Sequence, residues 1–240
     1  MVVQNLNDYF KEYISDRNLP SHRYNSFDYC YNYFASFEDK TKIANDINME
    51  TSCLQLGFYL ASWGMLRGSS RLIDNDLSVF VPIIKTIANC EQEIWDIDVK
   101  DYCHEKIREK LIKTYSKFVD EHFNHQRTIT LVTKIMLGVF GNVPAFDNNF
   151  IAGIKALISN KNIKDIRESR CGFTVFNENS LNAIYNFYSQ NQLIINSLSE
   201  KTETNIFPYS KSRQNKKFTQ AKVIDAIGFQ CGIYCRRNNQ

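Results

Sequence analysis

The chain has 240 residues, with 29 Lys and Arg against 26 Asp and Glu, so its net charge is only +3. Nine glycines and four prolines are few for this length, which favours a helical protein over an all-β protein with many turns. No apolar stretch is long enough to cross a membrane and the first residues lack the pattern of a signal peptide, which argues against membrane and secreted proteins.

The cysteines indicate a reducing compartment. There are seven, an odd number, and none forms a Cys-x2-Cys pair, so we expect reduced thiols and a cytoplasmic protein. Cys231 and Cys235 are one helical turn apart, but a structural zinc site needs four ligands and no second pair is present. His104, His122 and His125 do not have metal-ligand spacing. We therefore predict no metal and no cofactor.

Charge is distributed unevenly along the chain. Residues 201–240 contain eight Lys or Arg against two acids, so they carry +6 and the first two hundred residues carry −3. A basic region on a nearly neutral body is typical of a phosphate-binding surface, with Arg213, Lys216 and Lys217 as candidate backbone contacts. A solvated surface loop explains the same charges equally well.

In chain order, a first helix is predicted over Asn5–Asp16, followed by an aromatic-rich stretch between residues 24 and 37. Packing in the core is the default interpretation of aromatic residues at helical spacing. In the alternative, Asn32 and one tyrosine face a base pocket, where the amide reads a base edge and the ring stacks on the base.

Met49–Leu66 is apolar on almost every side, which predicts a buried central helix. It leads into Arg67-Gly68-Ser69-Ser70-Arg71, where two arginines and two hydroxyls could hold a phosphate or a polar base edge. Termination of the helix at glycine, followed by serine capping, is the structural alternative. Tyr59 and Trp63, just before this segment, are candidates for the same pocket.

The segment after residue 127 predicts the other central helix. Thr128–Phe140 is apolar nearly all round, and its small and polar residues fall into one stripe at helical spacing: Thr130, Thr133, Lys134, Gly138 and Gly141. Such a stripe could line a cleft or allow another backbone to approach closely. Gly141-Asn142 ends the helix and Val143-Pro144 forces extended chain. Asp147 then precedes a further apolar helix.

Further helices are predicted at Leu77–Asn89, Asp98–His122, Asn179–Ser197 and Phe218–Cys235. The sequence therefore indicates an all-α fold. We expect a compact bundle of about nine helices around two buried ones, 49–66 and 128–140. Residues 1–240 would form one helical domain, or two closely packed lobes with a cleft between them.

Asp147 has two interpretations. Aspartate is a preferred N-cap, because its carboxylate accepts hydrogen bonds from the free N–H groups of the first turn, and capping alone would explain this residue. A carboxylate held rigidly beside a cleft is also what stabilisation of a cation or activation of a water requires.

The pattern of buried helix, Phe-Gly, extended VPAFD and second helix resembles the catalytic segment of the helix-hairpin-helix DNA glycosylase superfamily, over Thr128–Ile158. Members carry an aspartate after a Val-Pro-type strand, at the start of a helix. The resemblance implies a glycosylase-like fold, double-stranded DNA as partner and Asp147 as the catalytic residue.

Three departures from the family pattern refine that expectation. His122–Thr128 stands where the glycine-rich hairpin is expected, no lysine occupies the Schiff-base position, and the iron–sulfur cysteine cluster is absent. Lys134 is too near Asp147 in sequence for the Schiff-base role. The resemblance therefore implies a monofunctional glycosylase whose DNA anchoring differs from the family's.

The first hypothesis is thus a DNA glycosylase that flips a modified base from the stack, in a defence role against phage DNA or in repair. Its base pocket would contain Asn32, Tyr59, Trp63 and Arg67. Its DNA-backbone contacts would be Ser69, Ser70, Thr130, Thr133, Lys134, Arg213, Lys216 and Lys217. The second hypothesis is a non-catalytic helical protein that binds nucleic acid or an acidic partner, with Asp147 as a cap. Oligomeric state does not follow from the sequence.

Overall fold

The computed structural model describes residues 5–66, 75–123, 128–159, 173–210 and 214–237. Within these ranges the regular elements are helical, which confirms the predicted all-α class. The α-helices are α1 (Leu6–Arg17), α2 (Asn25–Ala35), α3 (Asp46–Ser62), α4 (Val81–Ala88), α5 (Gln92–Asp96), α6 (Glu105–His122), α7 (Ile129–Phe140), α8 (Asn148–Ser159), α9 (Glu178–Gln190), α10 (Gln192–Lys201) and α11 (Gln220–Arg237). Short 3-10 helices lie at Lys40–Ala44, Leu77–Phe80 and Val99–Cys103.

The described residues form more α-helices than the nine predicted, because one predicted helix is divided in two and one helix is too short to predict. The helix predicted over Asn179–Ser197 is two helices, α9 and α10, which meet at Asn191. This residue leaves helical geometry at φ −123° and ψ 18°, and its side-chain amide donates to the Phe187 carbonyl at 2.7 Å. The five residues of α5 are too few to produce a periodic pattern in the sequence.

Two helices run through the core, and only one of them is a helix that the sequence predicted to be central. In α7 every residue from 131 to 140 is buried, as expected. The second is α11, in which residues 220–232 are all buried. The predicted helix, α3, lies at the surface on one side and exposes 87% of Ile47 and 60% of Phe58.

Glycines bring α8 and α11 into backbone contact. A Cβ atom on Gly153 would lie 1.9 Å from the carbonyl oxygen of Gly228, and one on Gly232 would lie 1.9 Å from that of Asn149. A side chain of any size is therefore excluded at these two positions. Because α8 begins just after Asp147, this contact fixes the helix on which that carboxylate is mounted.

The connection between α7 and α8 is tied to its surroundings at both ends. Gly141 ends α7 in the left-handed region at φ +67°, and its carbonyl accepts a hydrogen bond from Thr219 at 2.6 Å. The Asn142 carbonyl accepts from the Tyr102 hydroxyl, and the Asn142 amide donates to the Ile94 carbonyl at 3.0 Å. The extended chain leading to Asp147 is thus fixed by three neighbouring segments.

Other features bear on the sequence predictions. Among the described helices, none is long and apolar enough to span a membrane. No disulfide joins any of the cysteines in the described ranges. Those same ranges contain no group of three or more His, Cys, Asp or Glu that could hold a metal ion.

Candidate functional site

Asp147 forms a cap and an ion pair at the same time. Its Oδ1 accepts hydrogen bonds from the backbone N–H groups of Asn149 and Phe150, both at 2.9 Å, at the start of α8. Its Oδ2 lies 2.8 Å from the Nζ of Lys134, on α7. The side chain of Asp147 is 16% exposed and that of Lys134 is 4% exposed. The carboxylate is therefore held in a fixed orientation, with an opposite charge in contact.

These contacts keep Asp147 ionised. Burial on its own raises the pKa of the carboxyl group, but the Lys134 charge and the hydrogen bonds from Lys134, Phe150 and Asn149 outweigh it. The pKa of Asp147 consequently lies below its ordinary value. Such a carboxylate is a weak proton acceptor and a permanent negative charge, so it suits stabilisation of a cation better than removal of a proton.

Trp63 lies directly beside this ion pair. The centroid of its ring is 4.6 Å from Lys134 Nζ, close enough for a cation–π contact. The ring stacks on Tyr24 at 5.3 Å, and Tyr24 stacks on Tyr13 at 4.7 Å, which makes a column of three parallel rings. The buried Nε1–H of Trp63 has no hydrogen-bond acceptor among the described residues. Trp63 thus has an unused hydrogen-bond donor, on a ring that contacts the lysine of the ion pair.

A second buried ion pair lies on α11. Lys222 Nζ is 2.8 Å from Asp225 Oδ2, and the two side chains are 1% and 8% exposed. Asp225 Oδ1 accepts the backbone N–H of Ala145 at 3.0 Å, which is two residues before Asp147. Lys222 Nζ also lies 5.8 Å from the Trp63 ring centroid. The four charges sum to zero, so the cluster is buried without net charge.

The polar stripe of α7 faces inward, towards the chain that carries Asp147. Thr130 donates to the Phe146 carbonyl at 2.8 Å, and the Thr133 hydroxyl accepts the Phe146 N–H at 2.9 Å. Gly138 provides room for the Tyr59 ring, which lies 2.3 Å from where a Cβ would be. The stripe therefore admits a neighbouring backbone and ring, which was one of its two predicted uses.

Thr133 and Lys134 were predicted as DNA-backbone contacts, but burial prevents this in the described conformation. They are 0% and 3% exposed, so a phosphate on the surface cannot reach them. Thr130 is half-buried, and its hydroxyl is occupied by the Phe146 carbonyl. These residues instead hold the Asp147 segment in place.

The predicted pocket residues lie in two different places. Tyr59 is buried near Asp147 and Asp225, and burial followed by these charges raises its pKa well above the ordinary value. Asn32 is also buried, but its amide donates to the Asn205 carbonyl at 3.0 Å and accepts from Thr204 at 2.7 Å. The structure therefore brings Tyr59 and Trp63 to Asp147, whereas Asn32 fastens a distant loop.

No family model, curated protein or solved structure matches this chain.

The remaining predicted DNA contacts lie elsewhere. Lys217 is exposed and pairs with Glu203 at 2.6 Å across an isolated antiparallel bridge between these two residues. Lys216 is half-buried, and its carbonyl accepts the Thr204 N–H at 2.8 Å. Four predicted residues lie outside the described ranges: Arg67, Ser69, Ser70 and Arg213.

Sequence reasoning missed Lys222 and Asp225. Lys222 was counted with the basic carboxyl-terminal region, although it sits three residues before an aspartate in an otherwise apolar run. That spacing places opposite charges on one face of a helix, which was the available signal for a buried pair. Tyr13 and Tyr24 were missed because nothing in their local sequence indicates which ring they contact.

A cavity of about 260 Å³ opens at a different place, between the end of α4 and the middle of α6. Its described lining residues include Cys90, Glu91, Lys110, Lys113 and Lys117. None of these belongs to the predicted site. Lys110 is already paired with Glu91 and Glu93, so much of the local charge is satisfied within the protein.

Proposed function

We propose that the protein is a monofunctional DNA glycosylase, which flips a modified base out of double-stranded DNA and releases it, leaving an abasic site. The observation that carries the proposal is the ionised, rigidly held carboxylate of Asp147, paired with Lys134, whose ammonium group lies over the half-buried ring of Trp63. The resemblance of Thr128–Ile158 to the glycosylase segment supports the same role for Asp147. Phage DNA with modified bases is the substrate class we favour.

The proposed reaction uses Asp147 electrostatically. The bond between sugar C1′ and the base nitrogen breaks, the bonding electrons leave with the base, and positive charge develops on the sugar. The carboxylate stabilises that charge, a water adds at C1′, and the proton of the water passes to the solvent or the leaving base. Because Tyr59 and the Trp63 Nε1 atom are buried, the proposed reaction requires a side-chain movement that opens a pocket at this place, where the Trp63 N–H can donate to an acceptor on the base.

Lys134 has a positioning role in this proposal. As an ammonium ion paired with Asp147 it has no electron pair with which to attack C1′, so the chemistry is hydrolysis rather than Schiff-base formation. Its contact with Asp147 fixes the orientation of the carboxylate and keeps it ionised.

The decisive experiment incubates the purified protein with unmodified and phage-modified DNA and measures abasic sites. Asp147→Asn should lower base release by about 100-fold or more, because a neutral amide cannot stabilise the developing cation. It should also cost stability, roughly 3–5 kcal/mol, because Lys134 is left buried without its counter-charge.

A second variant separates these two effects. Asp147→Asn combined with Lys134→Gln removes both charges and keeps a hydrogen-bonding pair, so its Tm should recover towards that of the wild type while base release stays low. If base release recovers together with Tm, Asp147 acts through stability alone and the catalytic assignment is wrong.

One observation favours the second candidate, a non-catalytic helical nucleic-acid-binding protein. Both oxygens of Asp147 already have partners inside the protein, as a purely structural cap would. This candidate predicts that the wild type produces no abasic sites on any DNA, while the stability pattern of the variants is unchanged.

A further inference from the structure

Two exposed aromatic rings on the loop between α10 and α11, Phe207 and Tyr209, form a cluster with the half-buried ring of Tyr29 on α2. Phe207 contacts Tyr29 at a centroid distance of 5.5 Å and Tyr209 at 5.8 Å. Phe207 is 47% exposed and Tyr209 is 85% exposed. Large aromatic rings are usually buried, so grouped exposed rings indicate a surface that meets another molecule.

The base of this loop is fastened firmly to α2. Residues Asn25, Asp28 and Asn32 are spaced three and four apart, so they lie along one face of that helix. Asp28 accepts the Asn205 N–H at 2.8 Å, and Asn25 accepts from the Asn205 side chain at 2.7 Å.

A second set of contacts joins the same loop to α1. Arg17 donates to the Glu203 carbonyl at 2.9 Å, and it also pairs with Asp28 at 3.2 Å. The chain two residues before Phe207 is thus fixed by buried polar contacts, while the rings beyond it face the solvent. Such an arrangement presents the rings in a defined position and lowers the entropy lost when they bind a partner.

The charge around the cluster is positive. Residues 201–217 contain five Lys or Arg and one acid, Glu203. Lys217 pairs with that acid, and Lys216 lies on the same segment, opposite Thr204. In the sequence, basic residues therefore precede and follow the two loop rings. Cations together with aromatic rings are the combination that single-stranded nucleic acids bind: charges for the phosphates and π faces for the bases.

We propose that Tyr29, Phe207 and Tyr209 form a stacking platform for unpaired bases of single-stranded nucleic acid. A duplex hides the faces of its bases, whereas a single strand can lay them on exposed rings. The platform shares no residue with the Asp147 cluster and goes beyond the proposed glycosylase function, since it would operate in a non-catalytic protein as well.

The test measures binding of a fluorescent 12-nucleotide oligo(dT) by anisotropy, beside a 12-nucleotide strand of abasic sugar-phosphate. Both probes carry the same charges, but only the first has bases. We expect the wild type to bind oligo(dT) about tenfold more tightly or better, since a stack contributes roughly that factor per base. The affinity for a 12-base-pair duplex should not depend on the rings.

Substitutions then test whether the rings cause the higher affinity for oligo(dT). Phe207→Ala combined with Tyr209→Ala should weaken oligo(dT) binding to the level of the abasic strand and leave the abasic strand unaffected. Tyr209→Phe keeps the ring and should bind as the wild type does. Leu193→Ala is the matched control, because Leu193 is 89% exposed on α10 and carries no ring.

Equal affinity of the wild type for oligo(dT) and the abasic strand would overturn the platform. So would an unchanged preference in the double alanine variant with a native melting curve. A protein that makes no abasic sites but keeps a ring-dependent preference sustains the platform and refutes the glycosylase proposal.

Discussion

Asp98 illustrates what a single buried carboxylate does in this core. Its oxygens accept the backbone N–H groups of Gln220 at 2.7 Å and Ala221 at 3.0 Å, at the start of α11, and that of Val99 at 2.8 Å. Burial nevertheless raises its pKa to about 6, because three hydrogen bonds do not fully replace the lost hydration. Burial also raises the pKa of Asp28, which binds the aromatic loop, to about 6.

The raised pKa of Asp98 predicts a pH dependence of stability. Between about pH 4 and pH 6 the folded state binds more protons at this site than the unfolded chain does, so Asp98 favours folding more as pH falls through that window. Asp98→Asn can keep the Oδ1 hydrogen bonds from Val99 and Ala221 but cannot titrate, and its loss of the hydrogen bond from Gln220 is the same at every pH. The difference in free energy of unfolding between wild type and variant should therefore shift in favour of the wild type by about 1–3 kcal/mol from pH 7 to pH 4.5.

Denaturant unfolding of both proteins at several pH values checks this. Taking the difference cancels the other titrating groups, such as His122, whose pKa is lowered by burial. A difference that stays constant with pH, or that shifts against the wild type on acidification, would contradict the assignment.

At the scale of elements, the contact between α8 and α11 depends on the absence of side chains. The nearest neighbours of an added Cβ at Gly153 are backbone atoms of Gly228 and Gly232, and a backbone in a buried helix cannot move aside as a side chain can. At Gly57 on α3 the nearest neighbour is the Phe80 ring at 3.0 Å, which can rotate or shift slightly.

This contrast predicts different costs for the same substitution. Gly153→Ala should destabilise the protein by about 2 kcal/mol or more, despite the better helix propensity of alanine, because α8 must separate from α11. Gly57→Ala should be close to neutral, since the propensity gain offsets a mild contact. Thermal melts of the two variants measure the difference. Similar melting temperatures would mean that the helices can separate at little cost.

Sequence patterns predicted some elements better than others for physical reasons. α7 was predicted correctly because its residues are apolar on all sides, which only a buried helix requires. α11 was not recognised as a core helix, because Lys222, Asp225 and Gln230 lower its average hydropathy although they are buried in the structure. α3 was predicted as central because the apolar residues of Met49–Leu66 include Leu54 and Phe58, whose side chains are exposed in the structure.

The sequence also predicted only part of the candidate site. Asp147 was identifiable because a cap has a local signature in the chain, an extended Val-Pro segment followed by an apolar helix. Its ion pair with Lys134 was not predicted, since 13 positions separate the two residues and their contact depends on how the connection folds back on α7. Contacts with Trp63 and Lys222 depend on the whole fold and leave no local pattern.

Across the whole molecule, positive charge and chemistry occupy different places. The buried cluster of Lys134, Asp147, Lys222 and Asp225 has no net charge, whereas the segment 201–217 is strongly basic. Affinity for DNA is therefore expected to come from the segment and not from the cluster.

A salt titration tests this division. Replacing Arg213, Lys216 and Lys217 together with Ser should weaken DNA binding and reduce the slope of log K against log salt by roughly 2–3 units, since each lost phosphate contact removes about 0.9. Lys106→Ser with Lys113→Ser, both exposed on α6, is the control for general charge and should leave the slope nearly unchanged. An unaltered slope in the triple variant removes that segment from the DNA interface.

The large sequence distance between α11 and its partners has a consequence for synthesis on the ribosome. Asp98 binds the start of α11 across 122 positions of sequence, and Ala145 binds Asp225 across 80. Until α11 has emerged, the nascent chain holds Asp98 without its hydrogen bonds and α8 without its glycine-lined partner. Asp98 and α8 must therefore wait, accessible to chaperones and proteases, until a helix far downstream in the sequence has been made.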